Sequence, residues 1–325
     1  MDQPPRGAPA SASEPLPDSD ELLADLLRGL AQAPYALSPK YLYDHRGSEL
    51  FDRICELEAY YPTRTELAIL EHNGGEIASA VGPRALVVEL GSGSSNKTRA
   101  LLDRLRDPAA YVPIDISESH LAEAAERIAA IYPDLEVLPV AADYTRDYAL
   151  PRPQRPAART LLYFPGSTLG NFDPPEAQRF LSRQAAHAGE GGAMVLGIDL
   201  QKNVDTLLRA YDDPEGVTAA FNLNLLRRLQ RELGAEVDMD GFRHRARFNE
   251  ELGCVEMHLE STREQEMRVA GRTIPFRPGQ SIRTERSYKY TQEGFRALAE
   301  RSGFRVAASW TDPEAYFSVQ YLEVI

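Results

Sequence analysis

Cysteine is nearly missing from this chain: Cys55 and Cys254 are the only two among 325 residues, and they lie far apart. The six histidines are scattered, with no H-x-x-x-H pair and no Cys/His cluster. A disulfide framework and a zinc-type centre are both excluded by that spacing, so no metal is expected. Positive charge is also short. Lysine and arginine total 36 against 49 acidic residues, a formal net charge of -13. A nucleic-acid backbone or an anionic membrane needs a positive field, so neither is an expected partner, and small-molecule chemistry is favoured. No run approaches the ~18 uninterrupted apolar residues of a membrane span. The N-terminus (MDQPPRGAPA) has no apolar signal core, so the chain reads as cytoplasmic. Nothing in the sequence points to an obligate protein partner.

What is present is a globular composition, 43% hydrophobic, ample for a buried core. The most informative stretch is residues 85–98 (ALVVELGSGSSNKT), an apolar run ending in Glu89 and two close glycines, Gly91 and Gly93. A parallel strand that delivers a ligand to its C-terminal edge has this form, because glycine lets the backbone turn tightly and approach the ligand. Asn96 stands where a dinucleotide fingerprint has its third glycine, which disfavours a nicotinamide or flavin enzyme. Asp115 ends the next apolar segment, about twenty residues on, where a doubly wound fold places a ribose-binding carboxylate. A third strand is expected over 135–143, ending in Asp143 and Tyr144, an acceptor and a ring suited to a purine base. A helix cap or a solvated loop is the plainer role for either acid.

The first twenty residues, rich in Pro, Ala, Ser and Asp, read as a flexible tail. A leucine stripe from 22 to 30 and residues 48–55 predict helices ahead of the first strand. Strands and helices then alternate from 85 to 199, with strands over 160–164 and 191–198 and a helix opened by Asp173-Pro174. Such alternation implies a parallel sheet with helices on both faces. Past Asp199 a long helix (217–233) gives way to alternating, half-exposed segments at 255–260 and 280–288. A short helix and two strands close the chain. The fold class is therefore α/β, a Rossmann-like sheet with a second α+β lobe. That lobe is assigned to residues 21–65 and 200–288, and the nucleotide-binding domain to 66–199 and 289–325.

Further stretches hold more polar and aromatic groups than packing requires: 41–52 (YLYDHRGSELFD), 60–66 (YYPTRTE), 164–172 (FPGSTLGNF), 211–218 (YDDPEGVT) and 284–288 (TERSY). With the ELGSG loop, which is similar to motif I of S-adenosylmethionine-dependent methyltransferases, they resemble the L-histidine Nα-methyltransferases of ergothioneine biosynthesis. The likeness runs from about Tyr41 to the C-terminus. It implies transfer of three methyl groups from S-adenosylmethionine to the α-amine of histidine, giving hercynine. By the same resemblance Tyr43, Gly91, Lys97, Asp115, Asp143 and Tyr144 fall at cofactor positions, and the tight glycine turn adds Gly93 to them. Tyr60, Gly166, Asn171, Tyr211, Glu285 and Ser287 fall at amino-acid positions, and Met257 at the imidazole pocket. Tyr43 and Asn171 are the candidate catalytic pair.

The residue types suit that chemistry. The Asn171 amide and the Tyr211 hydroxyl can hold an α-carboxylate without a cation, which would otherwise repel the amine as it becomes quaternary. Aromatic rings tolerate a methylated ammonium on their negative faces. Glu285 and Ser287 are two apart on a strand, hence on one face, and can together meet an imidazole nitrogen. Glu285 among Arg283, Arg286 and Lys289 could instead be a surface ion-pair partner, and Met257 plain core. Proton loss from the amine to solvent or through Tyr43 is left open. The rival functions are a same-family methyltransferase of another amino acid, a nicotinamide-dependent dehydrogenase and a non-catalytic S-adenosylmethionine-binding partner.

Overall fold

The computed structural model describes residues 19–91 and 96–325. The expected tail falls almost wholly outside the described residues, and Gly93 lies outside them too. The chain runs through α1 (Ser19–Gly29), β1 (Tyr35–Ala36), α2 (His45–Glu56), α3 (Tyr61–Val81), β2 (Ala85–Leu90), α4 (Asn96–Leu102), β3 (Ala110–Asp115), α5 (Glu118–Ile131), β4 (Val140–Ala141), β5 (Arg159–Phe164), α6 (Pro174–Ala188) and β6 (Ala193–Asp199). It continues with α7 (Val204–Tyr211), α8 (Val217–Leu233), β7 (Phe242–Asn249), β8 (Cys254–Ser261), β9 (Gln265–Val269), β10 (Arg272–Phe276), β11 (Ser281–Tyr288), α9 (Gln292–Arg301), β12 (Phe304–Thr311) and β13 (Phe317–Val324).

A seven-stranded sheet runs in the order β12-β13-β6-β5-β2-β3-β4. Strands β2 to β6 pair in parallel, and the closing pair β12 and β13 is antiparallel. Every residue of β2 is buried, because helices cover both faces and alternate side chains enter different cores. Leu86, Val88 and Leu90 pack with Phe180 and Leu181 of α6 and Phe295 of α9. Ala85 and Val87 pack instead with Ile69, Leu70 and Ile77 of α3 and Leu101 of α4. Helix α6 begins as expected at Asp173, in a capping box with Glu176 and with proline in its first turn.

The order of strands reverses at β2, whose neighbours are β3 on one side and β5 on the other. Such a switch point opens a crevice outside the carboxyl ends of the strands, here between Gly91 and the Pro165–Gly166 turn. A second sheet, β1-β11-β8-β7, with the β9–β10 hairpin and helices α1, α2, α7 and α8, buries its own core around Leu26, Leu42, Leu225, Leu259 and Ile282. The two sheets meet where β11 ends. Tyr290 N donates to Asp199 O (2.9 Å) and Gln201 N to Tyr290 O (2.9 Å), which pins the end of β11 to the end of β6.

Two expectations change. The strand expected over 135–143 pairs only at Val140–Ala141, besides one bridge at Val137. It is an edge strand with β3 on one side only, and Pro139 has no N–H to give to a ladder. The long helix α3 and strands β7, β9 and β10 were not foreseen. Helix α3 places Glu66 against Gly197 of β6. A Cβ at Gly197 would stand 2.2 Å from Glu66 Oε1 and 2.7 Å from the Phe317 ring. Gly197→Ala is therefore expected to overpack this layer and lower stability by about 1–3 kcal/mol, measured by urea unfolding.

Candidate active site

Gly91 takes φ +81°, a left-handed conformation suited to glycine, and its N donates to Ile114 O (2.8 Å). A Cβ there would lie 3.4 Å from Cε1 of the Tyr144 ring, so the end of β2 and the segment after β4 converge. Tyr144 stacks edge-on against Phe164 and Phe180, and Asp115 and Asp143 are near enough to help burial raise its pKa. Asp115, at the end of β3, accepts from Ser117 N (2.9 Å). Asp143 Oδ1 accepts from Thr145 N (2.8 Å) and Thr145 Oγ1 (2.6 Å), while Arg146 Nε stands 3.3 Å from Oδ2. Gly91, Asp115 and Tyr144 thus surround one strand edge, and Asp143 already serves a turn beside it.

Lys97, in the first turn of α4, is turned toward the other loop of the crevice. Its Nζ lies 2.7 Å from Glu66 Oε2, and the same carboxylate accepts from Gly166 N (2.9 Å). Glu66 is 1% exposed and joins the first turn of α4 to the Gly166 turn. Gly166 and Ser167 follow each other at φ +83° and +58°, and Ser167 Oγ accepts from Asp199 N (2.8 Å). The 3-10 turn Thr168–Asn171 then packs on β11: a Cβ at Gly170 would meet Tyr288 O at 2.9 Å. Asn171 ends this turn half-buried, and its amide makes no hydrogen bond among the described residues. It is available for a ligand.

An aromatic cluster faces this turn. Tyr43 contacts Phe51 and Phe221 edge-on, Phe51 contacts Tyr60, and Tyr60 contacts Tyr211, with ring centroids 5.4–6.3 Å apart. Tyr43 is 37% exposed as a whole residue, yet protein crowds its hydroxyl, and that desolvation raises its pKa well above the usual value, with Glu285, Cys55, Tyr144 and Tyr211 adding to the effect. Tyr43 therefore links the Tyr144 side to the Glu285 side. Glu285 sits on β11 opposite Met257 of β8, beside a register shift at Thr284, and both residues are buried. The surface ion-pair role for Glu285 is overturned. Arg286 instead pairs with Asp173 (2.9 Å) and Glu256 (2.9 Å), and Glu285 makes no hydrogen bond among the described residues. Burial pushes its carboxyl up to about 7, against the pull of Lys289.

The expected cation-free clamp is also corrected. Lys289 Nζ donates to Tyr211 Oη (2.9 Å) and Ser287 Oγ (2.7 Å), and lies 2.8 Å from Asp199 Oδ2. Asp199 further accepts from Tyr61 (2.8 Å) and pairs with Lys202 (2.5 Å). Tyr211 in turn donates to Ser287 Oγ (2.8 Å). Sequence reading missed Lys289, Asp199, Tyr61 and Glu66. The available signals were an acid closing the fifth strand and a lysine two residues beyond Ser287, in phase with Glu285.

Glu285 gives a pH prediction. A carboxyl whose pKa is higher folded than unfolded favours folding in its protonated form. Its contribution is present below its ordinary 4.5 and is lost as pH rises through about 7. Glu285→Gln should therefore raise the Tm of the ligand-free protein at pH 8 and leave it close to wild type near pH 4.5, read by differential scanning fluorimetry.

Residues 22–324 match the model of a family described as histidine-specific methyltransferase, SAM-dependent. The histidine N-alpha-methyltransferase of Mycolicibacterium smegmatis is 41% identical over 307 residues, covering 93% of this chain and 94% of that protein. The protein of the same name from Mycobacterium tuberculosis is 40% identical over 304 residues, covering 92% and 93%. Ergothioneine biosynthesis protein 1 of Neurospora crassa is 30% identical over 291 residues, covering 87% of this chain and 32% of that protein. With a glycine turn at the switch point of a mostly parallel sheet and an aromatic, carboxylate-bearing pocket opposite, the chain belongs to the S-adenosylmethionine-dependent, histidine-specific methyltransferases.

Proposed function

We infer that this enzyme methylates the α-amine of L-histidine three times to give hercynine, a step of ergothioneine biosynthesis. The observation that carries the reading is Glu285: a buried carboxyl with no hydrogen-bond partner among the described residues, beside Ser287 and opposite Met257. A buried acceptor left unpaired is costly, so the pocket favours a side chain that brings an N–H to it. Imidazole does so, and an apolar side chain does not. The names of the mycobacterial and fungal relatives agree with this substrate and this pathway. Both reactants are small and soluble, which fits the cytoplasm.

Residues 21–65 and 200–288 act as the substrate lobe in this reading, and residues 66–199 and 289–325 as the donor domain. Gly91, Gly93, Lys97, Asp115, Asp143, Tyr144 and Tyr43 serve the donor side. Three observations support that side: Gly91 turns at a positive φ, the half-buried Tyr144 ring adjoins it, and Asp115 closes the neighbouring strand, where such folds carry a ribose-binding carboxylate. When bound, S-adenosylmethionine supplies an electrophilic methyl on a sulfonium. The chain's own task is orientation, which can contribute several kcal/mol by aligning the reacting atoms. Asn171 and Tyr211 hold the carboxylate end, Gly166 shapes the loop beside it, and Glu285, Ser287 and Met257 fix the ring. Tyr43, Phe51, Tyr60 and Phe221 offer ring faces to an ammonium that gains methyls and can no longer donate hydrogen bonds.

Incubation with labelled S-adenosylmethionine and each of the twenty amino acids tests the reading by mass. Histidine alone should gain one, two and three methyl units, and an unmodified histidine sample would overturn it. Glu285→Ala should lower kcat/KM for histidine by about 10- to 100-fold, as expected for a lost buried hydrogen bond to a charged group. Donor affinity, measured by calorimetry, should change far less.

A further inference from the structure

Behind the amino-acid pocket, one buried amide fixes the tautomer of one buried ring. Asn222 of α8 is fully buried, and its Nδ2 lies 3.1 Å from His258 O and 2.9 Å from His244 Nδ1. A main-chain carbonyl can only accept, so the atom facing it must be the NH2 group and not the amide oxygen. The oxygen end agrees, because it accepts from the Thr284 hydroxyl (2.6 Å) on β11, at the residue that the register with β8 skips. With an N–H aimed at it, His244 Nδ1 is a bare acceptor and the ring proton sits on Nε2. Nε2 then donates to Tyr211 O (2.8 Å), the carbonyl of the last residue of α7, which a helix end leaves without an intrahelical partner. The Asp212 carboxylate is farther from Nε2, at 3.9 Å. Burial lowers the His244 pKa, while Tyr211 O, Asp212 and Asp213 pull it up. A charged ring would set a second N–H against the Asn222 amide, so the neutral form is the one that fits.

We propose that His244, fixed by Asn222 as the neutral Nε2–H tautomer, is a positioning residue that ends α7 at Tyr211 and so holds the Tyr211 ring in the amino-acid site. This rests on the reading that Tyr211 meets the substrate carboxylate, and adds to it a line of support through β7, α8 and the irregular point of β11. Tyr211 is the last residue of an eight-residue helix, and the chain turns immediately after it. The Asp213 carboxylate fixes the far side of that turn, accepting from Val217 N (2.9 Å) and Thr218 N (2.7 Å) at the start of α8. The imidazole fixes the near side, where a helix end otherwise frays. Its bond is to the Tyr211 main chain, so its effect on the reaction passes through that residue.

A double-mutant cycle tests it, read by kcat and KM for histidine and by calorimetric donor affinity. His244→Met fills the space but makes neither hydrogen bond, and should raise KM for histidine about tenfold, the factor for one lost buried hydrogen bond, with kcat and donor affinity within about twofold. His244→Gln can donate to Tyr211 O and accept from Asn222, and should return KM to within about threefold of wild type. Tyr211→Phe alone should raise KM about tenfold or more. Once that hydroxyl is gone, adding His244→Met should raise KM by less than about threefold further, because both changes act on one interaction. The full factor in both backgrounds, or equal losses in His244→Met and His244→Gln, marks a merely structural role and overturns the proposal. Wild-type protein gives a check that needs no variant to fold. Nitrogen NMR of enzyme labelled at its histidines should show the ring of His244, assigned by its contacts with Tyr211, protonated at Nε2 and bare at Nδ1, and the opposite tautomer overturns the proposal. Unchanged KM in Tyr211→Phe alone defeats the placing of Tyr211 in the amino-acid site, whereas additive effects defeat only this inference.

Discussion

The site depends on a buried ion pair, Asp199 with Lys289, at 2.8 Å. Asp199 closes β6 of the seven-stranded sheet, and Lys289 follows β11 of the four-stranded one. Burying either charge alone would be strongly unfavourable, so the pair constrains the ends of the two strands to meet. Backbone hydrogen bonds from Tyr290 to Asp199 and from Gln201 to Tyr290 reinforce the junction. The Asp199–Lys202 and Asp199–Tyr61 contacts complete a cluster in which the carboxylate stays ionised, since its cationic neighbours outweigh the cost of burial.

A second buried acid, Glu66, ties other elements together in the same way. Glu66 holds Lys97 and the Gly166 amide together, so the first turn of α4 and the loop after β5 share one anchor on α3. The reaction asks two small molecules to meet in one orientation, and orientation is lost if the loops that carry them drift apart. Asp199 and Glu66 flank the same Gly166–Ser167 turn, one through its backbone N–H to Ser167, the other through its carboxylate to Gly166. Two left-handed residues in succession are a strained arrangement, and these bonds hold it in place.

The pocket combines groups that would conflict in a less ordered setting. Tyrosines with raised pKa values stay neutral and serve as hydroxyls and ring faces, never as phenolates. A cation lies close by but is compensated, and a carboxyl waits without a partner. The reading of a clamp free of cations expressed a sound physical concern about repulsion of the product. The fold meets that concern by pairing the lysine, not by omitting it.

Much of the fold was legible along the chain. The apolar run 85–90 followed by Gly91, the cap at Asp173 and the helix 217–233 depend on local periodicity and local hydrogen bonds, and they form where those signals stand. The spacing from Gly91 to Asp115 and Tyr144 was readable because a βαβ unit returns each strand to the same edge. The partnership of Lys289 with Asp199, the bridge from Glu66 and the solitary burial of Glu285 were not. These are contacts between residues tens to hundreds of positions apart, and a charged residue reads alike in sequence whether it faces water or a buried counter-charge. Sequence alone determined the sheet, its ligand edge and the residue types around it. Tertiary structure decided which charges are compensated and which acid is left buried without a hydrogen bond among the described residues, because that depends on how the second sheet docks against the first.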